Sequence, residues 1–89
     1  GFDGSLILTL SNYIENITII EKGKKIDLSL DFYLEINKSS LSKKDTFSGV
    51  LRANSKITGN FTLNEFDELL LSSQYKLISI LGDKLSSIN

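Results

Sequence analysis

Three carboxylates recur every fourth residue in the stretch KKIDLSLDFYLEIN (24–37): Asp27, Asp31 and Glu35. Converging carboxylates can hold a cation, share a proton or act as a general acid/base pair, so their spacing decides what they are for. The stretch alternates strictly, with Ile26, Leu28, Leu30, Phe32, Leu34 and Ile36 on one side and Asp27, Ser29, Asp31, Tyr33, Glu35 and Asn37 on the other. That period belongs to an extended strand, in which residues four apart stand about 13 Å from one another. This is too far for a shared proton or a single cation, and beyond the roughly 5–9.5 Å of glycosidase carboxylate pairs. Only an acid from an adjacent strand would close the gap. The expectation is therefore no catalytic residue, no metal site and no cofactor. The acids read as a solvated face or as a surface that docks a partner. Tyr33, between Asp31 and Glu35, favours docking, because Tyr offers a large apolar area and a hydroxyl at low entropy cost. The partner-binding set read from sequence is Asp27, Asp31, Tyr33 and Glu35, with a basic protein as the matching partner.

The bases form a second constellation. Residues 38–62 carry Lys38, Lys43, Lys44, Arg52 and Lys56 against Asp45, a local charge of +4, whereas residues 1–37 carry −3 and residues 63–89 carry −2. Lys38, Lys43, Lys44, Arg52 and Lys56 could touch phosphates, which makes nucleic-acid contact the alternative function. A hairpin turning at Ala53–Asn54–Ser55 would set Arg52 opposite Lys56. Against it stand a single Arg and no exposed aromatic pair for base stacking. The other reading of this segment is a solubilising loop.

Nucleophile and phosphate motifs are absent: there is no G-x-G-x-x-G, no G-x-x-x-x-G-K-[ST] and no G-x-S-x-G. The chain contains no His and no Cys, which removes the commonest general base, the commonest metal ligand and any disulfide. Sequons occur at Asn16, Asn37 and Asn60, where this Asn-, Ser- and Thr-rich composition would give one or two by chance, so they carry little signal. The expected class is a non-enzymatic protein-interaction module, an assembly, accessory or inhibitor-type domain.

Eighty-nine residues make one small domain. Its apolar content is almost wholly Leu (15), Ile (11) and Phe (5), enough for a packed core. Heavy use of Ile, Lys, Asn and Ser suits an AT-rich coding sequence, from a low-GC bacterium or its phage. The lack of Met, even at position 1, points to a processed protein or a domain cut from a longer one. Apolar runs fall far short of the roughly 20 residues that span a bilayer, and no signal peptide pattern is present.

The elements that must position these residues are an α+β set: a mostly antiparallel sheet of about five strands with one face covered by a helix near the C-terminal third. Strands are expected at 5–10, 16–22, 25–37, 47–53 and 56–63. A two-residue turn at Lys22–Gly23 would place Ile19 across from Ile26 and Ile17 across from Leu28. The turn at Ala53–Asn54–Ser55 would pair Leu51 with Ile57, Gly49 with Gly59 and Phe47 with Phe61, with 38–46 as a polar loop. Thr62 and Glu65 have capping-box spacing ahead of a helix at 63–72. A short strand at 75–81 follows, although Leu77, Ile80, Leu81 and Leu85 also extend the helical stripe. The expected core is Ile17, Ile19, Leu28, Leu30, Phe32, Leu34, Phe47, Leu51, Ile57, Phe61, Phe66, Leu69 and Leu70. A terminal strand such as 5–10 could pair with another chain through its edge.

Overall fold

The computed structural model describes residues 4–38 and 43–87. Three long strands, β1 (Gly4–Ile20), β2 (Gly23–Lys38) and β3 (Lys43–Thr58), form an antiparallel meander in the order β1-β2-β3, and one helix, α1 (Leu63–Ser86), follows. The α+β class and the single-faced helix agree with the sequence reading. Among the described residues the sheet has three strands rather than about five, because two polar interruptions turn out to lie within strands.

The first interruption is SNYIEN. Ser11 faces Asp31 and Ile14 faces Ser29, so Asn12 and Tyr13 together oppose Leu30 in a bulge. Asn12 takes φ 53°, a left-handed conformation that Asn tolerates, and donates from Nδ2 to Asp31 Oδ2 at 2.8 Å. The extra residue flips side-chain parity. Leu6, Leu8 and Leu10 before it and Ile17 and Ile19 after it therefore share one face of a single strand. The second interruption is ANSK. Ser55 pairs with Ile26 and Asn54 with Asp27, and the strand runs on to Thr58. The expected hairpin does not form, and with it go the pairings of Leu51 with Ile57, Gly49 with Gly59 and Phe47 with Phe61. Ser55 is polar because it meets a helix serine, and Asn54 because it faces water. Lys43 to Thr46, expected in a loop, begin β3; residues 39–42 of that loop lie outside the described residues.

The first hairpin keeps its even loop but turns one residue earlier, at Glu21–Lys22, with Lys22 at φ 61°. Ile17 consequently faces Ile26, and Ile19 faces Lys24. Gly23 is thereby moved into β2, where a Cβ would collide with the Ile57 carbonyl oxygen.

The helix runs unbroken from Leu63 through Ser86, which overturns the strand at 75–81. Its start follows the spacing rule: Thr62 Oγ1 accepts from the Glu65 amide and Glu65 Oε1 accepts from the Thr62 amide. The Ser72–Ser73 pair does not interrupt it, because the buried Ser73 hydroxyl donates to the Leu69 carbonyl at 2.9 Å. That hydroxyl also lies 2.6 Å from Ser55 Oγ. Having spent its one proton on Leu69, Ser73 must accept from Ser55.

At about 36 Å, α1 is shorter than the strands, at about 53 Å. It lies on β2 and β3, starting at the hairpin end, where Lys24 Nζ sits over the Phe66 ring, and finishing near Phe32, over which Lys84 Nζ sits. The core between them is Ile26, Leu28, Phe32, Leu51, Ala53, Phe66, Leu77 and Leu81, with Leu30, Ile57, Phe61, Leu69 and Leu70 partly buried. Leu34 and Ile36 are buried as well. Phe47, Ile17 and Ile19, expected inside, are exposed. Ile17 and Ile19 lie on β1, which the helix does not reach across to cover, and Phe47 lies toward the end of β3 that α1 does not reach.

Candidate functional site

The odd-numbered residues of β2 face away from α1, so Asp27, Asp31, Tyr33 and Glu35 do share one helix-free face. Their cross-strand neighbours complete it. Tyr33 stands between Thr9 and Ser48, Asp31 between Ser11 and Val50, Glu35 between Ile7 and Thr46, and Asp27 between Asn16 and Asn54. Ile7 and Val50 are diagonal neighbours of Tyr33, within reach of an aromatic ring. All three side chains are exposed, Tyr33 to 40%.

Each acid has a polar neighbour of its own. Asp31 accepts from Asn12. Glu35 Oε1 lies 2.8 Å from Lys44 Nζ, and Oε2 accepts from Asn37 Nδ2 at 3.2 Å. The Lys44 bond, with that of Asn37, pulls the Glu35 pKa down, and Glu35 in turn raises that of Lys44. Asp27 lies 3.8 Å from Lys25 Nζ. Among the described residues no three acids, His or Cys converge as metal ligands.

The bases divide. Lys44, Arg52 and Lys56 lie on the same face as the acids, and the register adds Lys25, directly opposite Lys56. The face therefore carries both signs. Arg52 pairs with Ser29, not Lys56; the two bases lie four residues apart on β3, about 13 Å. Lys38, opposite Lys43 at the far end of the sheet, has even parity on β2 and falls on the helix side. The Lys25–Arg52–Lys56 grouping escaped sequence reading because Lys25 is brought to Lys56 only by β2–β3 pairing.

A second cluster, unforeseen, forms where a side chain of α1 reaches toward β1. Tyr13 Oη donates to Glu15 Oε2 at 2.7 Å, and Gln74 Nε2 donates to both, at 3.0 and 3.2 Å. Partial burial, reinforced by the hydrogen bond to Glu15, raises the Tyr13 pKa. Near the hairpin a depression of about 400 Å³ is lined by Lys22, Gly23, Lys24, Gly59, Asn60 and Phe61, without an acid. No described helix is long and apolar enough to cross a membrane.

The chain matches no family model, and no curated protein or solved structure is significantly similar to it.

Proposed function

We propose that this chain is a non-enzymatic protein-interaction module whose helix-free sheet face, centred on Tyr33, docks a protein partner. One observation carries the reading: Tyr33, Ile7 and Val50 form an exposed apolar centre inside a rim of polar groups already held in place by Asn12, Asn37 and Lys44. An apolar anchor within a polar rim is the anatomy of binding hot spots. A rim fixed before binding loses little side-chain entropy on association. Because Lys25, Lys44, Arg52 and Lys56 lie beside Asp27, Asp31 and Glu35, the partner complementary to this face bears both charges rather than base alone. Tyr33→Ala combined with Asp31→Lys should abolish capture of the partner by the immobilised chain while its circular dichroism stays unchanged. Equal capture by the folded double variant would reject this face.

A second reading rests on Lys25, Arg52 and Lys56 gathering on one half of that face: a nucleic-acid contact, with Lys44 beyond Tyr33 and Lys38 and Lys43 at the sheet end. Its signature is affinity that falls steeply with salt as counterions are released. Failure to retain single-stranded nucleic acid at low salt would remove it.

A further inference from the structure

The side of the sheet that carries α1 is only partly covered. Leu6, Leu8, Leu10, Ile17 and Ile19 of β1 point to that side and are exposed, Ile19 to 83%. Beside them rises a wall. At 3.6 residues per turn, Leu71, Tyr75 and Ile78 lie within about 60° of one another on α1, roughly 130° around from the buried Phe66, Ser73, Leu77 and Leu81. All three are exposed, and they lean toward β1, the side on which Gln74 reaches Tyr13 and Glu15. Floor and wall form one apolar trough along the molecule.

The total area gives the scale of what is missing. A compact monomer of 9.9 kDa exposes about 5,200 Å²; this chain exposes 6351 Å². The excess, about 1,100 Å² over the whole molecule, leaves room for the roughly 800 Å² per partner that a standard stable interface covers. The radius of gyration tells the same story, 17.4 Å against about 12 Å for a globule of this length.

We infer that a second copy of this chain fills the trough. A two-fold axis running parallel to the strands turns one sheet over the other. It lays each α1 over the partner copy's β1 and beside the partner copy's α1. The 21 Å width of the molecule accommodates two helices side by side at 8–10 Å. Leu71, Tyr75 and Ile78 then sit in the corner between the other helix and the other β1, where Leu10, Ile17 and Ile19 meet them as an isologous contact requires; Leu6 and Leu8, level with Phe47 beyond the end of α1, stay outside it. Two acids border that contact: Glu15, already hydrogen-bonded to Tyr13 and Gln74, and Asp67, which helical phase puts on the same flank of α1 as Ile78. This dimer uses the side of the sheet opposite Tyr33 and does not depend on docking there.

The test uses equilibrium sedimentation and oxidative cross-linking of the 89-residue chain, which has no cysteine of its own. The chain should sediment at twice its 9.9 kDa mass. Ile78→Cys should form a disulfide-linked dimer, Ser48→Cys on the other face should not, and Tyr33→Ala should leave the dimer intact. Ile17→Asp, folded by circular dichroism, should weaken association at least about a hundredfold, because the symmetry buries two charges at once. A folded chain that remains monomeric at about 100 µM, well above the Kd range of a stable interface, would overturn the inference and leave the trough to a different protein. A dimer that Ile78→Cys fails to link, with β1 edge amides protected from exchange, would overturn it in favour of strand-to-strand pairing.

Discussion

Ser73 shows how one residue can change meaning with its surroundings. In sequence it belongs to a Ser–Ser pair that looks like punctuation; in the fold it is fully buried and links α1 to β3 through Ser55. Ser73→Ala should cost about 1–2 kcal/mol in urea unfolding, the loss of a buried hydrogen bond. Ser73→Leu should cost at least as much, by overpacking. Glu35 offers a prediction in pH. Its folded carboxyl titrates below its unfolded value, held down chiefly by Lys44. The linked stability is thus fully present above the unfolded pKa and is lost as pH falls through the folded one. Glu35→Gln should remove this acid-side component, and the Glu35 carboxyl resonance should show a midpoint below the ordinary carboxylate range.

At the level of elements, the decisive devices are a bulge and a long helix. The bulge is what puts both halves of β1 in phase, and Asn12 holds its left-handed turn. Asn12→Ala should destabilise by about 1 kcal/mol or more, and Asn12→Gly by less, since only the former carries a Cβ into that conformation. Deleting Asn12 would remove the parity flip, turning one half of β1 to the wrong face. Leu77 tests the helix. A strand over 75–81 would put Leu77 and Ile80 on opposite faces, whereas α1 turns Leu77, Ile80 and Leu81 all toward the core. Leu77→Ala should therefore cost about 2–5 kcal/mol, measured by denaturant unfolding with helical signal as the probe.

For the whole molecule, length outruns cover. A helix about two-thirds as long as its strands, placed over two of three of them, leaves an extended body of 58 × 21 × 16 Å. If two copies share the trough, stability includes association, and the thermal midpoint should rise with chain concentration. Ile17→Asp should flatten that dependence. Tyr33→Ala should leave it unchanged, since that residue lies on the other face.

The period-2 run of β2, the capping box and the α+β class were legible from residues 24–37 and 62–65, because strand parity and helix caps are local properties. The candidate face was legible to the same extent: Asp27, Asp31, Tyr33 and Glu35 fall together by parity alone. Strand number was not, because a polar pair such as Asn54–Ser55 has the same composition whether it turns the chain or meets a buried serine from α1. Nor was it possible to see that Lys25 joins Lys56, or that Ile17 and Ile19 stay uncovered. Those outcomes depend on strand register and on where a single helix comes to rest. Both are set by contacts between residues distant in the chain, which no local pattern encodes.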